Sequence, residues 1–174
     1  MLERAGANVL LPRERDTQLN EIIIDNDEGV DDTRYAERNG SKSWQDGGTG
    51  FAHKRDVYLT GQNPFTEGTT RITESIASGS ESRAEWRAAI PEEGKYAVYV
   101  SYKSYGEDSA DDVIYTVHHR GGESRFAVNQ TMGGGMWVYL GHFDFAQADE
   151  RVLVSLSNKS LQAGKRVSAD GVKI

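Results

Sequence analysis

Cysteine is absent from this 174-residue chain, and proline occurs only three times. Without cysteine there is no disulfide framework, no thiolate nucleophile and no cysteine-ligated zinc site. No apolar run approaches the roughly 18 residues that a membrane-spanning helix needs. Basic residues number 20 against 27 acidic ones, which is the reverse of the balance that favours nucleic-acid binding. The sequence therefore predicts neither a membrane span nor a nucleic-acid partner.

Glycine is abundant, with 19 residues, and no segment sustains helical periodicity over three turns. Apolar residues instead alternate with polar ones along segments of strand length, which places them on one face of a sheet. The residues expected to point into the core are Ala84, Trp86, Ala88, Ile90, Tyr96, Val98, Val100, Tyr102, Val113, Tyr115, Val117, Trp137, Tyr139, Phe143 and Phe145. This pattern predicts an all-β fold, an antiparallel β-sandwich of jelly-roll-like type, over residues 19–174.

Two glycine-rich stretches are explained as connections between strands. The stretch RGGES (residues 120–124) is typical of a hairpin turn, because glycine supplies the positive φ that such turns need. The stretch TMGGG (131–135) predicts a loop rather than a cradle for phosphate. Between residues 26 and 82 the pattern is less regular, and we expect long loops with short strands there. Long ordered loops are frequent places for ligand contacts.

No arrangement of residues indicates a catalytic centre in this fragment. His118 and His119 are neighbours on a predicted strand, so their side chains point to opposite faces and cannot share one metal ion. His53 and His142 lie far from them in sequence. The zinc-binding spacing H-E-x-x-H and the nucleophile elbow G-x-S-x-G are both absent from the chain. We therefore expect no catalytic residue here.

The acidic stretch DNDEGVDD (residues 25–32) is a candidate calcium loop. Asp25, Asp27 and Asp31 alternate along it, and Gly29 permits a sharp bend. Carboxylate oxygens are hard ligands that suit Ca²⁺, so these three residues are candidate ligands of a structural calcium ion, the one cofactor that the sequence suggests. A solvated turn explains the same residues, and the spacing departs from the EF-hand pattern. Asp25, like Asp170, is equally suited to accept main-chain N–H bonds.

Motifs in the second half of the chain form a recognisable series. They are YTVHHRGG (115–122), VNQ (128–130), WVYLGHFDF (137–145), VLVSLSN (152–158) and RVSADGV (166–172). The series resembles the golvesin C-terminal-like domain, also described as the xanthan-lyase carbohydrate-binding-like domain, and EIIIDND (21–27) resembles its opening strand. The matching residues are Tyr115, Val117, His119, Gly121 or Gly122, Val128, Asn129, Gln130, Trp137, Leu140, Gly141, Phe143, Phe145, Val154, Leu156, Asn158, Ala169, Asp170 and Val172. The resemblance covers about residues 21–174.

This resemblance implies a non-catalytic accessory module of a secreted bacterial enzyme that acts on polysaccharide or cell wall, such as a xanthan lyase or an N-acetylmuramoyl-L-alanine amidase. The implied partners are a polysaccharide or peptidoglycan glycan and a flanking catalytic domain of the same polypeptide. The implied location is secreted, periplasmic or at the cell surface. Two alternatives stay open. One is a structural insert that packs on a catalytic domain without binding sugar, and the other is a catalytic lyase or hydrolase fragment.

Sugar binding needs an exposed aromatic face, on which the C–H groups of a pyranose pack, and polar groups that bond the hydroxyls. Trp86 and Trp137 lie in predicted strands on apolar faces and are expected in the core. The better candidates lie in segments that resemble loops. They are Trp44, Phe51, Tyr58 and Tyr105.

Residues 1–18 differ from the rest of the chain. LERAGANVLLP reads as the last turn of a helix, a stop at Gly6 and a short strand at residues 9–11. NVLLPRERDTQ weakly resembles a strand and loop of zinc-dependent N-acetylmuramoyl-L-alanine amidases. We expect residues 1–18 to be a fragment or arm, with a flanking amidase-like α/β domain, into which the sandwich is inserted, as its source.

Overall fold

The computed structural model describes residues 21–27 and 33–174. The predictions on residues 1–18 and on Asp31 lie outside these ranges. Within them the chain forms twelve strands and two 3-10 helices, Pro64–Thr66 and Gly106–Asp108. The strands are β1 (Ile23–Ile24), β2 (Tyr35–Arg38), β3 (Gln45–Gly50), β4 (Gly68–Glu74), β5 (Arg83–Ile90), β6 (Gly94–Val100), β7 (Val113–His119), β8 (Gly122–Val128), β9 (Val138–Phe145), β10 (Ala148–Ser157), β11 (Arg166–Ala169) and β12 (Val172–Lys173).

The described strands pair into three sheets. A four-stranded sheet has the order β1-β12-β6-β9, a five-stranded sheet the order β2-β5-β10-β7-β8, and a three-stranded sheet the order β11-β4-β3. All of these strand pairs are antiparallel. No helix in the described part of the chain is long and apolar enough to cross a membrane.

A single apolar core is shared by the sheets. The five-stranded sheet contributes Trp86, Tyr115 and Leu156, and the four-stranded sheet contributes Val98 and Val172, all of them 0% exposed. The alternation expected for β5, β6 and β7 is observed, since its inward residues are buried except Tyr96, which is partly buried and packs on the core. The prediction of an all-β antiparallel sandwich is therefore confirmed.

A seam of hydrogen bonds runs through the core around Gln130, which is 0% exposed. Its Nε2 donates to the main-chain oxygen of Ser168 at 2.8 Å, and its Oε1 accepts from the main-chain nitrogen of Ser168 at 2.8 Å. Nearby, Trp86 Nε1 donates to the main-chain oxygen of Asp170 at 2.9 Å. Buried polar groups stabilise a core only when they are paired. These bonds fix the chain where it passes from the three-stranded sheet, through β11, into β12.

The triple glycine lies in the loop between β8 and β9, as predicted. Gly133 and Gly135 have φ values of 73° and 70°, in the region that glycine tolerates. A Cβ on Gly134 would lie 2.3 Å from the main-chain nitrogen of Ser104. Glycine is needed here so that the loop can pack closely against the segment after β6.

Candidate functional site

Trp44 and Phe51 are buried, at 5% and 2% exposed, and offer no ring face to a ligand. Trp44 Nε1 donates to the main-chain oxygen of Arg83 at 3.1 Å. The Phe51 ring packs 5.2 Å from that of Phe65 and 4.7 Å from that of Trp137. Their segments are irregular, but the rings turn inward, because apolar surface is removed from water there. The expectation that these two residues form an exposed platform is not met.

Tyr58 and Tyr105 are half-buried, and their hydroxyls are bound within the protein. The Tyr58 hydroxyl donates to the main-chain oxygen of Ala52 at 3.2 Å and accepts from the main-chain nitrogen of Lys54 at 3.1 Å. The Tyr105 hydroxyl donates to the main-chain oxygen of Gly47 at 2.7 Å. The Arg166 guanidinium lies 4.7 Å above the Tyr105 ring and covers one of its faces. Tyr105 therefore offers at most one open ring face to a ligand.

A larger aromatic surface lies on the outer face of the four-stranded sheet. The Tyr99 ring, on β6, is 5.3 Å from the Tyr139 ring, on β9, and Tyr139 is 49% exposed. Lys173, on β12, places its Nζ 4.9 Å from the Tyr99 centroid and 5.3 Å from the Trp137 centroid. His142 packs edge-on against Tyr139, and the Tyr139 hydroxyl is hydrogen-bonded to His142 Nδ1. We call these five residues the aromatic strip.

Trp137 is held rigidly at one end of the aromatic strip. Its ring makes edge contacts with Phe51 at 4.7 Å and with Phe65 at 5.8 Å. A Cβ on Gly171 would approach the Trp137 ring to 3.1 Å, so this glycine makes room for the indole. The ring is therefore fixed by packing from below, and no rotamer freedom needs to be lost when a ligand binds to it.

A β-bulge explains why Tyr139 faces outward, although we expected it in the core together with Trp137, Phe143 and Phe145. Val98 pairs with Gly141 and Tyr99 pairs with Tyr139, so the residue between them on β9 has no partner. One extra residue reverses the alternation of inward and outward side chains. Phe145 is buried and Phe143 packs on the core, whereas Tyr139 is exposed. Trp137 precedes the strand and is only partly buried.

The acidic turn after β1 lies against the core. Asp25 is 5% exposed, and its Oδ1 accepts from the main-chain nitrogen of Asp27 at 2.8 Å. Burial raises the pKa of Asp25 to about 7. Burial also raises the pKa of Asp170 to about 8, against the opposing effect of the hydrogen bond from the main-chain nitrogen of Phe51. Both residues thus accept main-chain N–H bonds, which was one of the two interpretations open from the sequence.

The carboxylate of Asp27 accepts from both the main-chain nitrogen and the hydroxyl of Thr69. In the described ranges, no group of three or more His, Asp or Glu side chains is arranged to hold a metal ion. The calcium interpretation of Asp25 and Asp27 therefore stays a proposal.

The adjacent histidines have separate surroundings. His118 Nε2 lies 3.1 Å from Ser155 Oγ, and its Nδ1 lies 3.2 Å from a Glu123 carboxylate oxygen. The His119 ring packs 5.1 Å from the ring of Phe143, and its Nε2 lies 2.9 Å from Ser124 Oγ. Each imidazole is bound by its own neighbours, as expected for side chains on opposite faces of a strand.

Among solved structures, the chain is similar to a Paenibacillus xanthan lyase, with 22% sequence identity and a TM-score of 0.64. The similarity covers 88% of this chain and 12% of that one, and at this identity it shows a shared fold. No curated protein matches the chain. The family model of the Golvesin C-terminal domain matches residues 57–174. These residues are more than half of the chain, which therefore belongs to the Golvesin C-terminal domain family.

Proposed function

We propose that this domain is a non-catalytic accessory module that binds a glycan through the aromatic strip, beside a polysaccharide- or cell-wall-acting catalytic domain of the same secreted polypeptide. The observation that carries this proposal is the strip itself, in which Trp137, Tyr99 and Tyr139 lie on the outer face of one sheet. The rings supply apolar faces for pyranose C–H groups, while Lys173 and His142 supply polar atoms for hydroxyls.

The fold neighbour supports the accessory role. The domain corresponds to only 12% of the xanthan lyase chain to which it is similar. An enzyme of that length has room for separate catalytic domains, and a small sandwich attached to it is suited to holding the polymer near the catalytic site. Attachment raises the effective concentration of substrate without any new contact at the catalytic centre. The two glycans that we propose as ligands are xanthan and peptidoglycan.

A second candidate function is supported by a different surface. Val57 and Leu59, in the loop before the first 3-10 helix, are 74% and 69% exposed. Apolar side chains this exposed are suited to packing against another domain. On this hypothesis the sandwich is a structural insert, fixed to the catalytic domain through residues 57–59, and it binds no sugar.

Replacing Tyr139 or Tyr99 by alanine is expected to weaken the affinity for the polysaccharide about ten-fold, because each substitution removes one stacking ring from the aromatic strip. Tyr139 is 49% exposed, so its replacement is expected to change the melting temperature little, whereas Tyr99 is partly buried and its replacement is expected to lower the melting temperature somewhat more. Affinity electrophoresis in gels containing xanthan, and co-sedimentation with peptidoglycan, measure the retention. Leu161→Ala is the matched control, since Leu161 is 91% exposed and lies outside the strip.

Tyr58→Ala and Tyr105→Ala test the residues expected from the sequence. If these variants lose retention while the Tyr139 and Tyr99 variants keep it, the loops bind the glycan and the aromatic strip does not. If the wild type is retained by neither polymer, and Leu59→Asp detaches the domain from its catalytic neighbour, the structural-insert function replaces the proposed one.

A further inference from the structure

The outer face of the five-stranded sheet carries a polar pocket of about 150 Å³. Alternate residues of β7 point into the core, so Thr116 and His118 lie on this outer face. Strand pairing sets Ser155 of β10 opposite Thr116, and Glu123 of β8 opposite His118. All four side chains line the pocket. The aromatic strip lies on the outer face of the four-stranded sheet, so the two surfaces are separate.

Cationic side chains outnumber acidic ones in this pocket, although the whole chain has a formal charge of -7. Its cations are Arg83 on β5, Arg125 on β8 and Lys159, which follows β10. Its two carboxylates belong to Glu81 and Glu123. Three positive charges against two negative ones leave an excess of one. This local excess favours an anionic ligand.

Both carboxylates are engaged by neighbours within the protein. Glu81 accepts from Arg83 Nε at 2.5 Å and from the Ser157 hydroxyl at 2.8 Å. A Glu123 oxygen lies 3.2 Å from His118 Nδ1. Because these contacts occupy the acidic groups and Arg83, the positive charge that remains for a ligand belongs to the other two cations.

Arg125 and Lys159 are exposed and keep donors for a ligand. Arg125 Nη2 is 3.7 Å from a Glu123 carboxylate oxygen, which is longer than a hydrogen bond, and the Arg125 side chain is 71% exposed. In the described ranges, Lys159 Nζ has no hydrogen-bond or ion-pair partner. These two side chains therefore hold the unpaired positive charge of the pocket.

We propose that this pocket binds the carboxylate of a uronic acid residue in an acidic polysaccharide, through Arg125 and Lys159. A guanidinium presents paired N–H groups that match the two oxygens of a carboxylate, and an ammonium adds a point charge. Thr116 supplies a hydroxyl for the hydroxyls of the same sugar residue. The excess of one charge matches one carboxylate, whereas a nucleic-acid binder neutralises several phosphates.

The size of the pocket suits one residue of a polymer. Its volume of about 150 Å³ is below the roughly 300–1,000 Å³ of pockets that enclose a drug-sized ligand. A single charged sugar residue would occupy it, while neighbouring residues of the polymer lie across the exposed sheet face. Such a site would act in addition to the aromatic strip, and it does not depend on whether the strip binds sugar.

The test is affinity electrophoresis of the wild-type domain in gels that contain polygalacturonate, with its highly methyl-esterified form as the polymer that lacks free carboxylates. Retention by polygalacturonate is expected to be the stronger, and NaCl is expected to weaken it, because the contacts are ionic. Equal retention by the two polymers, or none by polygalacturonate, would overturn the proposal. Equal retention by poly-L-glutamate would show a general attraction to polyanions and would also contradict it.

Arg125→Gln and Lys159→Gln each remove one charge at an exposed position, and they are expected to weaken the affinity for polygalacturonate about ten-fold with little change in melting temperature. Arg120→Gln is the matched control, since Arg120 lies in the turn between β7 and β8, pairs with Glu93 and lies outside the lining of the pocket. Wild-type retention of both pocket variants, or an equal loss in the control, would refute the assignment. Tyr139→Ala is expected to keep the difference between the free and esterified polymers, so failure of the aromatic strip is distinguishable from failure of this site.

Discussion

Replacing Trp86 by alanine is expected to lower the free energy of unfolding by about 3–5 kcal/mol, the usual range for removing a buried aromatic ring. Trp86 is 0% exposed, and its ring lies 5.6 Å from that of Tyr35 and 6.2 Å from that of Tyr115. Its Nε1 donates to the main-chain oxygen of Asp170. The substitution therefore leaves a cavity and also an unpaired buried acceptor. Urea unfolding followed by circular dichroism measures the loss.

Trp86→Phe separates these two contributions, because it keeps an aromatic ring and removes the N–H donor. Its expected loss is smaller, and the difference between the two variants reports the cavity. The Leu161→Ala variant, altered at an exposed position, is expected to change stability by less than about 0.5 kcal/mol. If Trp86→Ala were as mild as Leu161→Ala, Trp86 would not be part of the core.

Gln130→Ala is expected to cost about 3 kcal/mol or more. The amide makes two bonds with the main chain of Ser168 and a third, at 3.2 Å, with the Tyr115 hydroxyl. Their partners stay buried after the substitution, and each unpaired group carries a penalty of about 1–3 kcal/mol. Thermal and urea unfolding both measure the effect.

Gln130→Met fills nearly the same volume without replacing the hydrogen bonds. We expect it to remain strongly destabilised, which would assign the loss to unpaired polar groups and not to a cavity. Asn129→Ala is the neighbouring control, since Asn129 is exposed and its Oδ1 accepts from the main-chain nitrogen and the hydroxyl of Thr131, two residues along the chain. Recovery of wild-type stability in Gln130→Met would refute the role of the hydrogen bonds.

Strand assignments made from the sequence hold where pairing is regular. Every residue of β7 from Val113 to His119 has a consecutive partner on β8, and the buried residues of β7 follow a period of two. In β9 the same rule is wrong for Tyr139, because the bulge inserts an extra residue that the alternation of apolar residues does not reveal. Gly141, at φ 154°, is the one visible signal of the irregularity.

The candidate site was harder to predict, because its residues come together only through sheet pairing. Tyr99 could be placed on the outer face by alternation, but its neighbours Tyr139 and Lys173 come from strands distant in sequence. For Trp44 and Phe51 the sequence favours exposed rings in loops, whereas the structure buries both rings. Their segments lack regular alternation, yet irregular backbone can still bury an aromatic ring when other side chains cover it, as Phe65 and Trp137 do for Phe51.

The pairing of β1 with β12 has a mechanical consequence. Ile23 pairs with Lys173, and Ile22 and Ile174 exchange main-chain hydrogen bonds of 2.8 and 2.9 Å. The two strands are antiparallel, so the chain enters and leaves this pair at the same end. Tension transmitted through flanking segments would therefore pull the strands apart by unzipping, loading one hydrogen bond after another. A strand pair that is loaded in this way yields at a lower force than a pair that is loaded in shear.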